Sequence, residues 1–165
     1  MAEDTARRGY RLWEEEMLAE YCAAFHREAR VMTRVRLGPQ PGAMPDPTLT
    51  ESERRLVGAV WRRWADALII ERDRLLVVET GLVPNPGDVS QMQTYLRLVG
   101  ATPELAEWWA LPRHGLLVWA VDDPYCRETA RAAGLEVRIY RPSHFREWIE
   151  TKRARERRAP VARVP

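Results

Sequence analysis

An aspartate and a glutamate stand in two neighbouring apolar segments of the sequence. Asp66 interrupts the run RWADALII, and Glu79 lies at the end of the run RLLVVET. The charged turn ERDR separates the two runs, so antiparallel pairing around it would bring both carboxylates close together. Two carboxylates with a backbone carbonyl such as that of Thr80 suit Mg²⁺, because magnesium keeps several of its waters. A cation bound there would polarise a phosphate and activate a water molecule.

The residues that follow extend the same candidate site. Gly81 stands two places after Glu79 and has no side chain with which to bind a ligand or move a proton. Apolar residues then follow helical spacing from about Asp88 to Val99. Gln91 and Tyr95 lie one turn apart on this predicted helix, so both side chains would point the same way.

At these residues the sequence resembles the PD-(D/E)xK nuclease superfamily, with Asp66, the triplet ETG at Glu79 and the Gln/Tyr pair on the next helix matching its motif. The resemblance covers roughly residues 11–145. It is greatest for small bacteriophage-encoded members, in which a strand ending in Glu-x-Lys leads through a proline-containing loop to a helix with Gln and Tyr. It implies an α/β fold with a restriction-endonuclease-like core, in which helices flank a mixed central sheet.

The resemblance also implies roles for individual residues. The catalytic set would be Asp66, Glu79 and a substrate-facing Gln91. Mg²⁺ or Mn²⁺ would be held by Asp66, Glu79 and the backbone carbonyl of Thr80. A supporting acid would come from the first helix, as Glu16 or Glu20.

The sequence departs from the family at Gly81, where the family carries a lysine that orients water and neutralises charge in the transition state. Electrostatic groups of this kind contribute factors on the order of 100 to 1000 in rate. The only lysine of the chain is Lys152, beyond the predicted core. Arg97 offers a replacement charge, but a guanidinium stays protonated and cannot act as a base. We therefore expect a remnant or weakened catalytic site.

Each residue of the site also has an ordinary structural explanation. Asp66 follows WRRW and would be satisfied by pairing with Arg62, Arg63 or a neighbouring arginine, as partly buried acids often are. Glu79 would then be a solvent-exposed acid at a strand end, and the Gln/Tyr pair a polar helix stripe. These explanations leave unexplained why both strands carry an acid, so the shared site is the favoured interpretation.

Hydrophobic spacing predicts the elements that position these residues. The expected order is helix, strand, hairpin, helix, strand, helix, strand, helix, with a short extra helix over 103–109. The first strand, 29–38, is expected to place Val31, Thr33, Val35 and Leu37 on one face. The other spans are helix 11–30, hairpin strands 60–70 and 74–80, helix 88–99 capped by Asp88 or Ser90, buried strand 115–121, helix 122–134 capped by Asp122 or Asp123, strand 135–142, and helix 143–158 capped by Ser143.

The length of 165 residues with 45% hydrophobic side chains suits one ordinary domain. We assign residues 1–150 to a single α/β domain with an exposed proline-rich loop at 39–55, and residues 151–165 to a basic tail. Basic tails bind nucleic acid by neutralising phosphates, although a charged run is also typical of a solvated helix face. The expected nucleic-acid contacts are Lys152, Arg153, Arg155, Arg157 and Arg158.

The remaining patterns exclude several classes of protein. Cys22 and Cys126 show neither disulfide nor zinc spacing, and the three histidines stand in unrelated elements, where we expect surface or capping roles. The amino end carries acids throughout and has no continuous apolar segment, so neither a secretory signal nor a membrane span is expected. We expect synthesis in the cytoplasm of a host and no membrane partner.

Three functions follow from the resemblance and from Gly81. The first is a catalytically defective phage protein that serves as a structural or interaction component of a virion, its neck or its connector, with phage structural proteins as partners. The second is an active Mg²⁺-dependent deoxyribonuclease. The third is a non-catalytic DNA-binding module that uses the basic tail. A homo-oligomer is compatible with each of them.

Overall fold

A computed structural model describes the backbone of residues 2–40 and 46–158, and the side chains of residues 12–40, 46–56 and 62–154. Residues 41–45 of the predicted loop and 159–165 of the predicted tail lie outside this part. In the described part, no helix is long and apolar enough to cross a membrane. The helices are α1 (Ala2–Phe25), α2 (Glu51–Trp61), α3 (Gly87–Val99), α4 (Pro124–Ala132) and α5 (Phe145–Arg158), with a 3₁₀ helix at Pro103–Trp108. The strands are β1 (Arg30–Leu37), β2 (Arg63–Ile70), β3 (Leu75–Gly81), β4 (Arg113–Trp119) and β5 (Glu136–Ile139).

The strands form one mixed sheet in the order β1-β2-β3-β4-β5. β1, β2 and β3 are antiparallel neighbours, whereas β3, β4 and β5 run parallel. The parallel pairs are connected through α3 and α4, because parallel strands need a crossover to bring the chain back. The predicted α/β class, with a mixed central sheet flanked by helices, is confirmed.

Helices cover both faces of the sheet. On one face, α3 and α4 contribute Met92, Val99 and Ala130 to a cluster with Val77 and Leu117, which we name the α3-side cluster. On the other face, α1 packs Leu18 and Tyr21 against Val78 and Leu116, which we name the α1-side cluster. α5 joins α1 through a smaller group that contains Trp148 and Met17. β4 is therefore buried on both faces, as its continuous apolar run predicts.

Part of the predicted proline-rich loop is helical. The Thr50 hydroxyl accepts a hydrogen bond from the Glu53 amide at 3.3 Å, and the Glu53 carboxylate accepts one from the Thr50 amide at 2.8 Å. This capping box stabilises the start of α2 by satisfying two amides that would otherwise lack partners. The prediction of a loop over 39–55 is thus wrong after Thr50, and the predicted hairpin strand starts only at Arg63.

β1 changes its orientation at Arg34. The φ angle of Arg34 is +53°, in the left-handed region that residues with a side chain rarely adopt. Val31 packs against the α1-side cluster, whereas Val35 and Leu37 belong to the α3-side cluster. The prediction that Val31, Thr33, Val35 and Leu37 share one face is therefore wrong, because the backbone turns over at Arg34.

β2 shows the same change directly opposite. Ala65 belongs to the α3-side cluster and Ala67 to the α1-side cluster, although alternation would place them on one face. Val35 pairs with Ala65, and the antiparallel register places Arg34 opposite Asp66. The two strands are thus distorted together at the position of the candidate carboxylate.

One of the three predicted helix caps is confirmed. Asp123 caps α4 by accepting hydrogen bonds from the amides of the first turn, as predicted. α3 begins without a side-chain cap, so the prediction of Asp88 or Ser90 is wrong. Ser143 does not cap α5, because its hydroxyl and amide both donate to Glu20.

Candidate functional site

Asp66 lies where β2 and β3 separate. The ladder between these strands ends at Ala67 opposite Val78, and one further step would place Asp66 opposite Glu79. There the side chain of Asp66 replaces main-chain pairing, since its Oδ2 accepts hydrogen bonds from the amide and the hydroxyl of Thr80 at 2.8 and 2.6 Å. The hairpin register therefore brings Asp66 to the Glu79-Thr80 segment, as the sequence predicts. The role of the Thr80 carbonyl as a metal ligand stays a prediction.

Glu79 is fixed by only one of its two carboxylate oxygens. Gln91 Nε2 donates to Oε1 of Glu79 at 2.5 Å and also contacts the Tyr95 hydroxyl at 2.8 Å. The buried Oε2 of Glu79 has no hydrogen-bond partner among the described residues. Buried carboxylate oxygens usually have a partner, so this oxygen marks a place where a ligand would be stabilising.

The surroundings of Glu79 are acidic. Burial, together with the negative charges of Asp66, Asp88 and Glu14, raises the pKa of Glu79 to about 9. Burial also raises the pKa of Tyr95, with a contribution from Glu79. Like charges around a desolvated carboxyl disfavour its ionised form. The group is therefore costly to ionise until a cation compensates the charge.

Asp88 is a further acid at the site, and it is held by the neighbouring strand. Its Oδ2 accepts hydrogen bonds from the Asn85 amide at 3.0 Å and from Nε1 of Trp119 at 3.1 Å. Burial raises the pKa of Asp88. The sequence suggested only a capping role for Asp88, because its contact with Trp119 depends on the pairing of β3 with β4.

The same tryptophan lies against Gly81. Gly81 pairs with Trp119 in the parallel register, and a Cβ atom on residue 81 would lie 3.4 Å from Cδ1 of the indole and 3.3 Å from the Val83 carbonyl oxygen. The contact with the carbonyl is tighter than a Cβ atom normally makes, the contact with the indole is at the edge of ordinary van der Waals distance, and Trp119 is almost fully buried. A side chain at residue 81 would therefore need its neighbours to shift by a few tenths of an ångström.

The first helix supplies acids other than those predicted. Glu20 bonds to Ser143 and Tyr140, and Glu16 lies 3.5 Å from His144, so both face α5. Glu14 and Glu15 instead line the cavity that contains Asp66. The prediction of Glu16 or Glu20 as the supporting acid thus misplaced the helix rotation by about half a turn, because helical spacing alone does not fix which acids face the sheet.

A cavity of about 280 Å³ opens between α1 and the β1–β2 edge. Leu18, Ala19, Cys22 and Val31 form its apolar part, while Asp66, Thr80 and Arg34 are among its polar lining residues. Sequence reasoning missed Arg34, since its unusual backbone conformation leaves no simple trace in the apolar pattern. Arg34 and Asp66 therefore both line this cavity, so it carries a positive and a negative side chain.

The site offers few side chains that could bind a divalent cation. Among the described side chains, no three His, Cys, Asp or Glu residues are grouped closely enough to hold a metal by themselves. Mg²⁺ commonly takes only one or two protein carboxylates and keeps waters for the rest. The Oδ2 atom of Asp66 is bonded to Thr80, and Oε2 of Glu79 is unpartnered among the described residues. That these two carboxylates bind Mg²⁺ or Mn²⁺ together stays a prediction.

The alternative explanation of Asp66 as an ion-pair partner of Arg62 is wrong. Arg62 pairs with Glu104 at 2.8 Å and also donates to the Arg36 carbonyl. Arg63 is exposed and lines a shallow pocket with Gln91 and Tyr95. The contacts of Asp66 are instead with Thr80.

The predicted cations lie away from the carboxylates. Arg97 is exposed, and its position on α3 is about 200° around the helix from Tyr95. Lys152 is on α5, where its ammonium lies 5.4 Å from the Trp148 ring centre. Arg153 is exposed on the same helix, while the side chains of Arg155, Arg157 and Arg158 lie outside the described residues. Thus neither Arg97 nor Lys152 takes the place of the family lysine.

Two of the three histidines are more buried than predicted, whereas His114 is exposed. The His26 side chain is only 8% exposed, and its Nδ1 contacts Glu71 at 2.9 Å. His144 is 10% exposed and faces Glu16. Both connect α1 to other elements, so their roles are structural and distant from Asp66.

Fold and geometry together define an α/β domain with a carboxylate pair at the point where two central strands separate. No family model matches the sequence, and no curated protein matches it. Among solved structures, the chain is similar to a repair endonuclease from Pyrococcus abyssi, with 17% sequence identity and a TM-score of 0.45. The match covers 78% of this chain and 47% of the endonuclease, so this chain spans about half the length of that protein.

Proposed function

We propose that the protein is a catalytically defective, nuclease-like domain that serves as a structural or interaction component of a bacteriophage particle. The observation that carries the catalytic defect is the contact between Gly81 and Trp119. The position of the family lysine has no side chain, and a buried indole lies directly beside it. A hydrolytic site of this type needs a positive group there to stabilise the transition state.

The remaining residues retain the binding half of such a site. Thr80 fixes Asp66 through two hydrogen bonds, and Gln91 orients Glu79. A divalent cation, when bound, supplies the charge that polarises a phosphate oxygen. The residues around Glu79 thus favour cation binding, whereas Gly81 has no side chain that could transfer a proton.

The phage assignment rests on the resemblance of the stretch from Arg63 to Tyr95 to small phage-encoded members of the superfamily. In this proposal the chain is made in the host cytoplasm and is incorporated in the virion, at its neck or its connector. Its partners are phage structural proteins, with DNA and further copies of the chain as additional contacts. Proteomic analysis of purified particles from the encoding phage tests this part, and absence of the chain from the particles contradicts it.

A cleavage assay tests the catalytic defect. Purified protein is incubated with single-stranded, duplex and branched DNA in Mg²⁺ or Mn²⁺, beside the Asp66→Asn and Glu79→Gln variants. We expect no cleavage above that of the two variants. Metal-dependent cleavage by the wild-type protein that both substitutions abolish would refute the proposed defect.

An active Mg²⁺-dependent deoxyribonuclease is the second candidate. The unpartnered buried oxygen of Glu79 favours it, because an oxygen left without a hydrogen bond is poised for a cation. In that case the cation and its waters carry the reaction without a lysine. The same cleavage assay decides between the two candidates.

A non-catalytic DNA-binding module that uses the basic end is the third candidate. The exposure of Arg153 and the position of Lys152 on the surface of α5 favour it. Binding of this kind is driven by phosphate neutralisation and weakens steeply with salt. Replacement of Lys152 and Arg153 by alanine tests it, since unchanged DNA affinity would contradict a role for this helix.

A further inference from the structure

An exposed tryptophan stands beside the carboxylate site, on the open edge of the sheet. Trp64 is 53% exposed and precedes Asp66 on β2 by about 7 Å of extended chain. β1, its neighbour, is an edge strand, so the outer side of this region is not covered by a further strand of the sheet. Large aromatic side chains are costly to expose in this way, and their exposure is typical of interaction surfaces.

Two arginines of β1 surround this tryptophan. The guanidinium carbons of Arg34 and Arg36 lie 5.9 and 5.5 Å from the centre of the Trp64 ring. Both distances are near the outer limit of about 6 Å for attraction between a cation and an aromatic ring. The contacts are therefore weak, and another flat group can displace either guanidinium from the ring.

Arg34 connects this surface to the candidate site. It lines the same cavity as Asp66 and Thr80. Its left-handed backbone would be unstrained with glycine, yet the position carries a long cationic side chain. Backbone strain held at a site is an indication of function, because folding alone would favour a residue that relieves it.

We propose that Trp64, Arg34 and Arg36 form a binding surface for single-stranded nucleic acid, with a base stacked on Trp64 and phosphates at the arginines. An aromatic platform flanked by positive charge is how proteins bind single strands without reading their sequence. Duplex DNA keeps its bases stacked and paired, so Trp64 would contribute little to binding it. This inference rests on the proposed function, because it names the partner of the same site.

The charge of the cavity sets where the phosphates lie. Glu14, Glu15 and Asp66 make its wall acidic, and these carboxylates repel phosphate. Phosphates are therefore placed at Arg34 on the opening and not deep inside. A divalent cation at Asp66 should tighten binding by offsetting this repulsion.

Fluorescence anisotropy with a labelled oligothymidine and a labelled hairpin duplex of equal length tests the proposal. The measurements are made in EDTA, and again in Ca²⁺. We expect the single strand to bind more tightly, and Trp64→Leu to weaken it by about tenfold while Trp64→Phe preserves most of the affinity. Arg34→Ala should reduce the magnitude of the slope of log affinity against log salt by about 0.7.

Matched controls lie elsewhere on the surface. Trp109, which is 41% exposed, and Arg131, which is exposed on α4, are replaced by leucine and alanine, and neither change should alter the affinity. Circular dichroism checks that each variant is folded. Equal affinity for single strand and duplex, or unchanged binding by folded Trp64→Leu, overturns the proposal, as does a loss that follows only from Lys152→Ala and Arg153→Ala.

The anisotropy measurement and the cleavage assay can fail independently of each other. In EDTA no metal-dependent hydrolysis occurs, so the anisotropy reports binding alone. If the protein cleaves DNA and Trp64→Leu also weakens binding, the proposed catalytic defect fails while the binding surface stands. If the protein does not cleave DNA and Trp64→Leu binds normally, the binding surface fails while the defect stands.

Discussion

Gln91 holds Glu79 by one carboxylate oxygen, at 2.5 Å, and the other oxygen is buried with no hydrogen-bond partner among the described residues. The arrangement orients the carboxyl group but does not compensate its charge, because a side-chain amide is neutral. With Asp66, Asp88 and Glu14 nearby, the protein keeps a desolvated acid among other acids. Ionised Glu79 therefore destabilises the folded protein. The free energy of unfolding should then depend on pH and on divalent cations.

Stability should fall with rising pH through Glu79. Its pKa is about 9 in the folded protein against an ordinary value of 4.5, so between these values the folded state holds a proton that the unfolded state has lost. The contribution of protonated Glu79 to stability is fully present below pH 4.5 and is lost as the pH rises toward 9. The free energy of unfolding falls by no more than about 1.4 kcal/mol per pH unit over this range. Glu79→Gln removes this dependence, so the variant should gain stability relative to wild type from pH 5 to pH 9.

Urea unfolding at pH 5, 7 and 9 measures this difference. Glu128→Gln is the control, since Glu128 is exposed on α4, away from the site. The control should follow the wild-type curve. A constant difference between Glu79→Gln and wild type over this pH range would contradict the raised pKa.

Divalent cations should stabilise the folded protein through the same carboxyl group. Cation binding needs ionised Asp66 and Glu79, so Mg²⁺ or Mn²⁺ should raise the melting temperature more at pH 8 than at pH 6. A hundredfold excess over the dissociation constant contributes about 2.7 kcal/mol. Differential scanning fluorimetry with and without each cation measures the shift. An equal shift in Asp66→Asn would show that the cation binds elsewhere.

Substitutions at Gly81 should be limited by Trp119. A Cβ atom at this position meets the indole at 3.4 Å and the Val83 carbonyl at 3.3 Å, so either partner must move. We expect Gly81→Ala and Gly81→Lys to destabilise the protein by about 1–3 kcal/mol, as overpacking does. We also expect Gly81→Lys alone not to create cleavage, because the crowded Cβ atom would displace Trp119 or the Val83 carbonyl beside the site.

Gly87→Ala is the matched control for this crowding. A Cβ atom on residue 87 would lie 3.2 Å from Oδ1 of the exposed Asn85 side chain, which accepts a hydrogen bond from the Gly87 amide. The control should change stability less than Gly81→Ala in urea unfolding, because its crowded neighbour is an exposed side chain and not the buried core. If Gly81→Lys instead folds with wild-type stability and cleaves DNA in Mg²⁺, then only the lysine was missing and Trp119 does not block the site.

The hydrogen bonds between Thr80 and Asp66 should stabilise the protein where β2 and β3 separate. Asp66→Ala leaves the amide of the buried Thr80 without its acceptor, which costs about 1–3 kcal/mol. Asp66→Asn keeps an oxygen acceptor and should cost less. A double-mutant cycle of Asp66→Ala with Thr80→Val measures the coupling by urea unfolding. Additive effects of the two substitutions would show that the hydrogen bond to the Thr80 hydroxyl contributes nothing.

The sequence predicts the central hairpin and its carboxylates well, because these depend on local patterns. Two apolar runs around a charged turn set the register, and the register places Asp66 at Glu79-Thr80. The start of α2 also had a local signal, since Thr50 and Glu53 have capping-box spacing, but the prolines before it favoured a loop.

Other parts of the site depend on contacts between distant elements. Whether Glu14 or Glu20 faces the sheet is set by how α1 rests on β3, and helical spacing leaves that rotation open. The contact of Trp119 with Asp88 and Gly81 depends on the parallel pairing of β3 with β4. Such relationships join residues far apart in the chain, so no local pattern contains them.

The backbone at Arg34 offers a test of the distortion beside Asp66. In the left-handed conformation a side chain costs about 1–2 kcal/mol, whereas in ordinary extended backbone glycine is the less stable residue by about 0.5–1 kcal/mol. Arg34→Gly should therefore be more stable than Arg34→Ala by about 0.5–1 kcal/mol. At Arg36, which has no such φ angle, the order of glycine and alanine should be reversed.

The glycine and alanine variants at one position have both lost the arginine side chain. The sign of the difference in their stability therefore depends on the backbone conformation alone. Urea unfolding of the four variants measures it. The same sign at both positions would mean that β1 is regular at Arg34, and the change of face in β1 and β2 would then need another cause. Opposite signs would show that the chain keeps an arginine next to Asp66 at a cost in stability, as expected if that side chain contacts a ligand.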